Sequence, residues 1–106
     1  MKLIGTIKET LSSRSPKRIK NPSFVDAGVL MPLFLEKGEC KVLLTKRTTG
    51  VEHHKGQISF PGGTVDQGDG SFEKAALREA HEEIGLSSRD VDILGRIDDT
   101  LSLIHI

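Results

Sequence analysis

The chain has 106 residues, with 15 basic and 15 acidic side chains and a formal net charge of zero. This length suits one small domain, and the charge balance argues against nucleic acid or anionic lipid as a partner. No apolar run is long enough to span a bilayer, and the first 11 residues do not resemble a secretory signal. The single cysteine, Cys40, excludes an internal disulfide, so we expect a reducing compartment such as the cytoplasm.

The N-terminal part of the chain predicts one helix and one connector. Ile4, Ile7 and Leu11 recur at helical spacing, which predicts a helix over residues 2–11. Residues 12–23 are polar and basic and contain prolines, which favours a solvated linker. A basic arm that meets a phosphate-bearing ligand is the less favoured alternative.

Apolar stretches in the middle of the chain predict β-strands. Two stretches, residues 24–35 with interruptions at Asp26 and Pro32 and residues 40–47, flank a glycine-containing break at residues 36–39, as the two strands of an antiparallel hairpin do. A short strand is expected at residues 58–60. A loop rich in glycine and aspartate is then expected over residues 62–70.

The C-terminal third predicts a helix, a strand and an unusual tail. The helix is expected at Phe72–Ile84, between an N-cap at Ser71 and a terminating glycine at Gly85. Residues 91–98 alternate between apolar and polar side chains, which predicts a strand. Residues 101–106 read Leu-Ser-Leu-Ile-His-Ile, the peptide that the transposon end of sequencing-library adapters encodes. We interpret this tail as adapter-encoded, although its alternation is also compatible with a genuine C-terminal strand.

Carboxylates cluster on one side of the predicted helix. At roughly 100° per residue, Glu79 and Glu83 lie about 40° apart, and Glu82 lies within about 60° of Glu79. These charges repel one another and oppose the helix dipole near its C-terminal end. A hard divalent cation such as Mg²⁺ or Mn²⁺ would compensate for both effects, because such ions prefer carboxylate oxygens. The alternative is a solvated acidic face that Arg78 and Lys74 partly neutralise.

The neighbouring sector of this helix is apolar and is expected to face the core. Its members are Ala76, Leu77, Ala80 and Ile84. The glycine-rich loop before the helix lets backbone groups approach a metal or a phosphate without interference from a Cβ atom. Together, the loop and the acidic helix favour a metal and phosphate site over a plain turn.

These residues resemble the Nudix box, the motif of the Nudix hydrolase family. The box reads glycine, five residues, glutamate, seven residues, then Arg-Glu-aliphatic-any-Glu-Glu-any-Gly-aliphatic. Gly63 begins it here, and residues 78–86 match its end. Asp69 stands at the first glutamate and is separated from Arg78 by eight residues, while Ala80 is small for the aliphatic position. Asp69 is therefore left out of the expected catalytic set.

An upstream signature is similar to that of the coenzyme A pyrophosphatase branch, which shows the same one-residue expansion. The matching segments are residues 43–47 (LLTKR), 54–57 (HKGQ) and 60–63 (FPGG). Members of that branch usually carry an arginine where Glu52 stands here. This difference leaves a Nudix enzyme for ADP-ribose or (d)NTPs open as an alternative.

The resemblance implies an α/β fold, namely a Nudix α/β/α sandwich with a mixed sheet. The domain would cover residues 24–100, be incomplete at its C-terminus and follow the helix and basic linker of residues 1–23. The implied activity is Mg²⁺- or Mn²⁺-dependent hydrolysis of the pyrophosphate bond in a small-molecule nucleotide. For the branch, coenzyme A would give 3′,5′-ADP and 4′-phosphopantetheine. A truncated module that binds nucleotide or metal without turnover is the alternative from another class.

The resemblance also implies roles for individual residues. The expected metal ligands are Glu79, Glu82, Glu83 and the Gly63 carbonyl. The expected catalytic residues are Arg78, Glu79 and Glu82; Arg78 would hold a carboxylate by a bidentate pair, and Glu79 is a candidate base. The expected substrate contacts are Arg47, His54 and Gly62. No oligomeric state is predicted.

Overall fold

The computed structural model describes residues 2–20, 23–46 and 58–99. The chain divides into two compact units, of which one is Val25–Val91 and the other combines Met1–Phe24 with Asp92–Ile106. Within the described ranges, no helix has the length and apolarity that a bilayer crossing requires. The adapter-like tail at residues 101–106 lies outside the described residues.

The described residues form two α-helices, six short strands and one 3₁₀ turn. In chain order these are α1 (Lys2–Ser12), β1 (Ala27–Val29), β2 (Leu33–Glu36), β3 (Glu39–Val42), β4 (Thr45–Lys46), β5 (Ile58–Ser59), β6 (Gly62–Thr64), α2 (Phe72–Ile84) and the 3₁₀ turn (Ser88–Asp90). The described strands form three antiparallel pairs: β1 with β6, β2 with β3, and β4 with β5. This content is consistent with the expected α/β class.

The hairpin predicted around residues 36–39 is confirmed. β2 and β3 pair antiparallel, with Leu33 opposite Val42. Lys37 and Gly38 have φ values of 51° and 79°. Two consecutive positive φ values are typical of the tight turns whose twist matches that of a β-hairpin.

The two long strands predicted on either side of this turn are wrong in extent. The first, residues 24–35, is divided at the expected interruption by Pro32 into β1 and β2, and β1 pairs with β6 rather than continuing the hairpin. Proline has no N–H to donate to a ladder, so it separates β1 from β2. The second, residues 40–47, is interrupted after β3, where the Leu43 N–H donates to the Pro32 carbonyl at 3.0 Å. β4 then pairs with β5.

The loop predicted from Gly62 onward is wrong at its start, because Gly62–Thr64 is strand β6. Gly62 and Gly63 lie opposite Val29 and Gly28 of β1. A Cβ atom on Gly62 would lie 2.4 Å from the Gly28 carbonyl oxygen. The glycines therefore serve a close backbone approach within a strand pair, which a composition-based reading interprets as a loop.

Helix α2 has the predicted bounds and both predicted caps. The Ser71 hydroxyl accepts a hydrogen bond from the Lys74 N–H at 3.1 Å, as an N-cap side chain does. Gly85 has a φ of 70°, and its N–H donates to the His81 carbonyl at 2.9 Å. This left-handed residue ends the helix.

The core face of α2 differs from the predicted one. Its buried side chains are Ala75, Ala76 and Ala80, while the predicted Leu77 and Ile84 are only half-buried. The cause is a close crossing over β1, where a Cβ atom on Gly28 would lie 2.4 Å from the Phe72 carbonyl oxygen and 3.2 Å from the Ala75 Cβ atom. Only small side chains fit between a helix and a strand at that distance.

The second unit contains α1, which confirms the predicted N-terminal helix. The strand predicted at residues 91–98 is wrong, because the described residues there form no ladder. Instead, the Asp99 N–H donates to the Lys17 carbonyl at 2.8 Å, and Asp98 Oδ1 accepts from the Lys17 N–H at 2.8 Å. Polar groups at the end of the segment thus bond to the linker, and the segment pairs with none of the described strands.

Candidate active site

Helix α2 brings two glutamates, one turn apart, against the backbone of β6. A Cβ atom on Gly63 would lie 2.6 Å from Glu79 Cδ and 2.7 Å from Glu79 Oε2. Glu83 Oε1 accepts a hydrogen bond from the Gly62 N–H at 3.4 Å. Since β6 is a strand, Gly62 and Gly63 present consecutive backbone groups to these carboxylates.

Arg78 bridges the carboxylates of Glu79 and Glu82. Its Nη1 donates to Glu79 Oε1 at 2.9 Å and to the two oxygens of Glu82 at 3.2 and 3.3 Å. Its Nη2 donates to the Thr64 carbonyl at 3.1 Å, which ties the guanidinium to the end of β6. The guanidinium therefore lies between the helix and the strand.

Asp69 is the principal partner of Arg78, and the sequence interpretation left it out. Arg78 Nε donates to Asp69 Oδ1 at 2.8 Å, and Nη2 donates to Oδ2 at 3.0 Å. This is the fork-to-fork geometry of a strong Arg–carboxylate pair. The signal that the sequence offers is the position of Asp69 at the first acidic residue of the Nudix box, despite its shorter side chain and the longer spacing to Arg78.

The pairing shifts the ionisation of both groups. The hydrogen bond from Arg78, together with one from the Asp66 backbone N–H, holds the pKa of Asp69 below its ordinary value. The hydrogen bond to Asp69, supplemented by those to Glu82 and Glu79, raises the pKa of Arg78. Both groups are therefore charged across the physiological pH range.

The site has a surplus of negative charge. The carboxylates paired with Arg78 are Asp66, Asp69, Glu79 and Glu82. Glu83 adds a further carboxylate beside Gly62. One guanidinium cannot neutralise this number of carboxylates, so the arrangement favours a cation.

The donor chemistry fits a hard divalent cation. Carboxylate oxygens from Glu79 and Glu83 lie along two consecutive glycines, and the missing side chain of Gly63 lets the Glu79 carboxylate approach the backbone of β6 closely. Among the described residues, no three Asp, Glu, His or Cys side chains already converge in a metal-binding arrangement. Glu79 and Glu82 are held by Arg78 instead.

The remaining predicted site residues fall into two groups. Gly62 lies in β6 with its N–H directed to Glu83. Arg47 and His54 lie outside the described residues.

A shallow cavity also lies between α2 and the segment that comes after it in the chain. Its lining residues are Lys74, Leu77, Arg78, His81, Ser87 and Ser88. It shares only Arg78 with the carboxylate cluster, so it is distinct from the place where Glu79 and Glu83 meet β6.

The NUDIX domain of known proteins matches residues 25–103, which include the strand pairs, Asp69 and all of α2. The chain belongs to the Nudix hydrolase family. The predicted family is thereby confirmed. Nudix hydrolases generally act on small molecules with divalent metals such as Mg²⁺ or Mn²⁺.

Curated relatives have the same family name. The uncharacterized Nudix hydrolase NudL of Enterobacter sp. (strain 638) is 48% identical over 69 residues, which are 65% of this chain and 35% of the relative. Nudix hydrolase 3 of Caenorhabditis elegans is 39% identical over 87 residues, which are 81% of this chain and 36% of the relative. The chain thus spans about a third of the length of these two relatives.

Proposed function

We propose that this Nudix hydrolase cleaves the pyrophosphate bond of a nucleoside diphosphate derivative, with coenzyme A as the favoured substrate. The products would be 3′,5′-ADP and 4′-phosphopantetheine. One observation carries the proposal: Glu79 and Glu83 meet consecutive glycines of β6 while Arg78 is anchored beside them. We place the enzyme in the cytoplasm and its domain in the α/β/α sandwich architecture with a mixed sheet.

The proposed chemistry assigns different tasks to the site residues. A bound Mg²⁺ or Mn²⁺ would screen the negative charge of the phosphate oxygens and would lower the pKa of a bound water molecule. The residues that would hold it are Glu79, Glu82, Glu83 and the Gly63 carbonyl. Glu79 is the candidate acceptor of the proton of the attacking water, and Arg78 fixes the direction of its carboxylate through the 2.9 Å hydrogen bond.

The preference for coenzyme A is supported by the segments at residues 43–47, 54–57 and 60–63. Arg47, His54 and Gly62 are the proposed substrate contacts within them. Glu52, which replaces the arginine usual in that branch, supports ADP-ribose or a (d)NTP as the alternative substrate.

The test is product analysis with the purified chain. Coenzyme A, ADP-ribose and the dNTPs would each be incubated with Mg²⁺ or Mn²⁺, with chelator as the control, and separated by liquid chromatography. We expect 3′,5′-ADP and 4′-phosphopantetheine from coenzyme A. Faster cleavage of ADP-ribose or a dNTP would favour the alternative substrate class. Calorimetric binding without product would instead favour the non-hydrolysing module, and the absence of both binding and turnover would contradict the proposal.

A further inference from the structure

We infer that the shallow cavity beside α2 binds a phosphate group, as the free ion or as part of a small phosphorylated molecule. The inference goes beyond the proposed hydrolysis, because it concerns residues outside the carboxylate cluster and needs neither a metal ion nor turnover. The residues that would bind the phosphate oxygens are Lys74, His81, Ser87 and Ser88.

The cavity residues on α2 form a stripe along one side of the helix. Its members are Lys74, Leu77, Arg78 and His81. At roughly 100° per residue, their spacing of i, i+3, i+4 and i+7 places all of them within a sector of about 100°. Glu83 lies about 180° from Lys74 around the same helix. The stripe therefore occupies a different side of α2 from the place where Glu83 meets β6.

The end of α2 brings two serines back beside this stripe. Gly85 has a φ of 70°, and its N–H donates to the His81 carbonyl at 2.9 Å, so the chain turns as the helix ends. Ser87 and Ser88 then line the same cavity as the helix residues. The Ser87 hydroxyl accepts from the Arg89 N–H at 3.4 Å, and its own O–H remains a donor for an anion. The turn thus adds neutral donors to the stripe.

The donors of the cavity are not taken up by neighbouring carboxylates. Within the described part of the chain, neither the Lys74 ammonium nor the His81 imidazole has an ion pair or a side-chain hydrogen bond. No Asp or Glu among the described residues lines the cavity. An ammonium offers three N–H donors and a full charge, and an imidazole keeps an N–H donor even when it is neutral. This lining therefore suits an oxyanion.

Arg78 borders the cavity but does not contribute donors to it. Its Nε donates to Asp69 at 2.8 Å, and its Nη1 donates to Glu79 at 2.9 Å. Its Nη2 donates to the Thr64 carbonyl at 3.1 Å. All three nitrogens of the guanidinium are thus engaged on the side of the carboxylate cluster. Lys74 is therefore the charged group with which a phosphate would pair.

The cavity is larger than a single ion requires. Its volume of about 410 Å³ lies within the usual range of small-molecule sites. Leu77 supplies an apolar part of its wall, against which an organic group attached to the phosphate would pack. We therefore expect a phosphate ester to bind more tightly than inorganic phosphate.

The experiment follows the backbone amide signals of the purified chain by NMR, in metal-free buffer at neutral pH and constant ionic strength. Inorganic phosphate, AMP and adenosine are the probes. We expect phosphate and AMP to shift the signals of Ser87 and Ser88 more than those of Gly62 and Gly63. Tighter binding of AMP would identify an ester as the source of the phosphate group, and equal binding would identify the free ion. The proposal fails if neither shifts the serine signals, or if adenosine shifts them as much as AMP does.

Lys74→Gln is the decisive variant, because it removes the charge that would pair with phosphate. We expect the affinity for AMP to fall at least about 5-fold, since a charge-assisted hydrogen bond is lost. Lys74 is exposed, so the substitution should leave the fold unchanged, and unshifted amide signals outside the cavity would verify this.

Lys41→Gln is the matched control. It removes the same charge from β3, where the Lys41 ammonium pairs with Glu36 at 3.0 Å and does not line the cavity. We expect this variant to change the affinity for AMP less than about 2-fold, because an exposed pair contributes little. Equal affinities of Lys74→Gln and Lys41→Gln would overturn the proposal.

The outcome does not depend on the proposed hydrolysis. In metal-free buffer the carboxylate cluster repels phosphate, so binding at Ser87 and Ser88 reports on the cavity alone. Shifts at these serines in a chain without turnover would support the cavity proposal while the proposed function falls. Hydrolysis of coenzyme A without such shifts would have the opposite meaning.

Discussion

Glu79 and Glu83 occupy one side of α2 but are engaged differently by their neighbours. Glu79 is 20% exposed and bonded to Arg78. Glu83 is exposed, and its hydrogen bond to the Gly62 N–H is long, at 3.4 Å. Substitutions at exposed side chains usually change the free energy of unfolding by less than about 0.5 kcal/mol. A substitution at exposed Glu83 is therefore expected to change function more than stability.

Glu83→Gln should abolish metal-dependent turnover and leave the fold intact. The substitution keeps the shape of the side chain but removes the negative charge that a divalent cation needs. Hydrolysis of coenzyme A and of ADP-ribose in Mg²⁺ would be measured beside a thermal unfolding curve. Glu73→Gln, on the first turn of the same helix, is the matched control and should keep its activity. Activity retained in Glu83→Gln would contradict its assigned role.

Much of the candidate site could be predicted at this scale, because helical periodicity is local. The shared sector of Glu79, Glu82 and Glu83 follows from their spacing alone. The partner of Arg78 could not be predicted in the same way, because it depends on the path of the loop that carries Asp69. A bidentate pair was expected, but its carboxylate comes from outside the helix.

Among the helices and strands, the features that depend on neighbouring residues could be predicted, and the pairing of residues far apart in the sequence could not. The caps of α2 and the turn at Lys37 and Gly38 are fixed by neighbouring residues, and all were predicted. The pairing of β1 with β6 joins residues more than thirty positions apart, and no short pattern contains it. Moreover, two adjacent glycines indicate a loop when only the sequence is read. Their role in β6 becomes clear only from the close approach of the β1 backbone and of Glu79.

Gly28 sets the distance between α2 and its strand pair, although it lies outside the Nudix box. A Cβ atom there would lie 2.4 Å from the Phe72 carbonyl oxygen and 3.0 Å from the Ala76 nitrogen. These are backbone atoms, which can move only if the helix moves. Gly28→Ala should therefore lower the free energy of unfolding by about 1–3 kcal/mol, the usual cost of overpacking.

Chemical denaturation would measure this effect, with Gly68→Ala as the control. A Cβ atom on Gly68 would have no neighbour within 4 Å. That variant should stay within about 0.5 kcal/mol of the unsubstituted chain, as surface changes usually do. Equal stability of the two variants would show that α2 does not depend on the missing side chain of Gly28.

On the scale of the whole molecule, the formal net charge of zero does not show which charged side chains form ion pairs. In the unit that contains α1, Asp98 pairs with Arg14, and Asp99 pairs with Arg96. Asp99 Oδ2 also accepts from the Ile19 N–H at 2.9 Å. The polar linker, predicted to be solvated, is thus tied to the segment that follows residue 91. These contacts depend on charge, so this unit should be sensitive to acid.

The sign of that sensitivity follows from the pKa shifts. The Lys17 N–H and Arg14 lower the pKa of Asp98, and Arg96 and the Ile19 N–H lower that of Asp99, both from an ordinary 3.8. A carboxylate with a lowered folded-state pKa stabilises the fold above its ordinary pKa, and this stabilisation is lost as pH falls through the lowered value. The contribution is therefore complete at pH 7, begins to fall near the ordinary pKa of 3.8, and is lost as pH drops through the lowered folded-state pKa values.

Replacing both residues, as Asp98→Asn with Asp99→Asn, should lower the melting temperature by several degrees at pH 7. The difference from the unsubstituted chain should shrink between about pH 5 and pH 2, because the native aspartates then become protonated as well. Thermal unfolding at fixed ionic strength across this range would measure it. Asp92→Asn, at an exposed residue with no side-chain hydrogen bond described, is the control and should differ little at any pH. A difference that stayed constant down to pH 2 would mean that these aspartates stabilise the unit by packing rather than by charge.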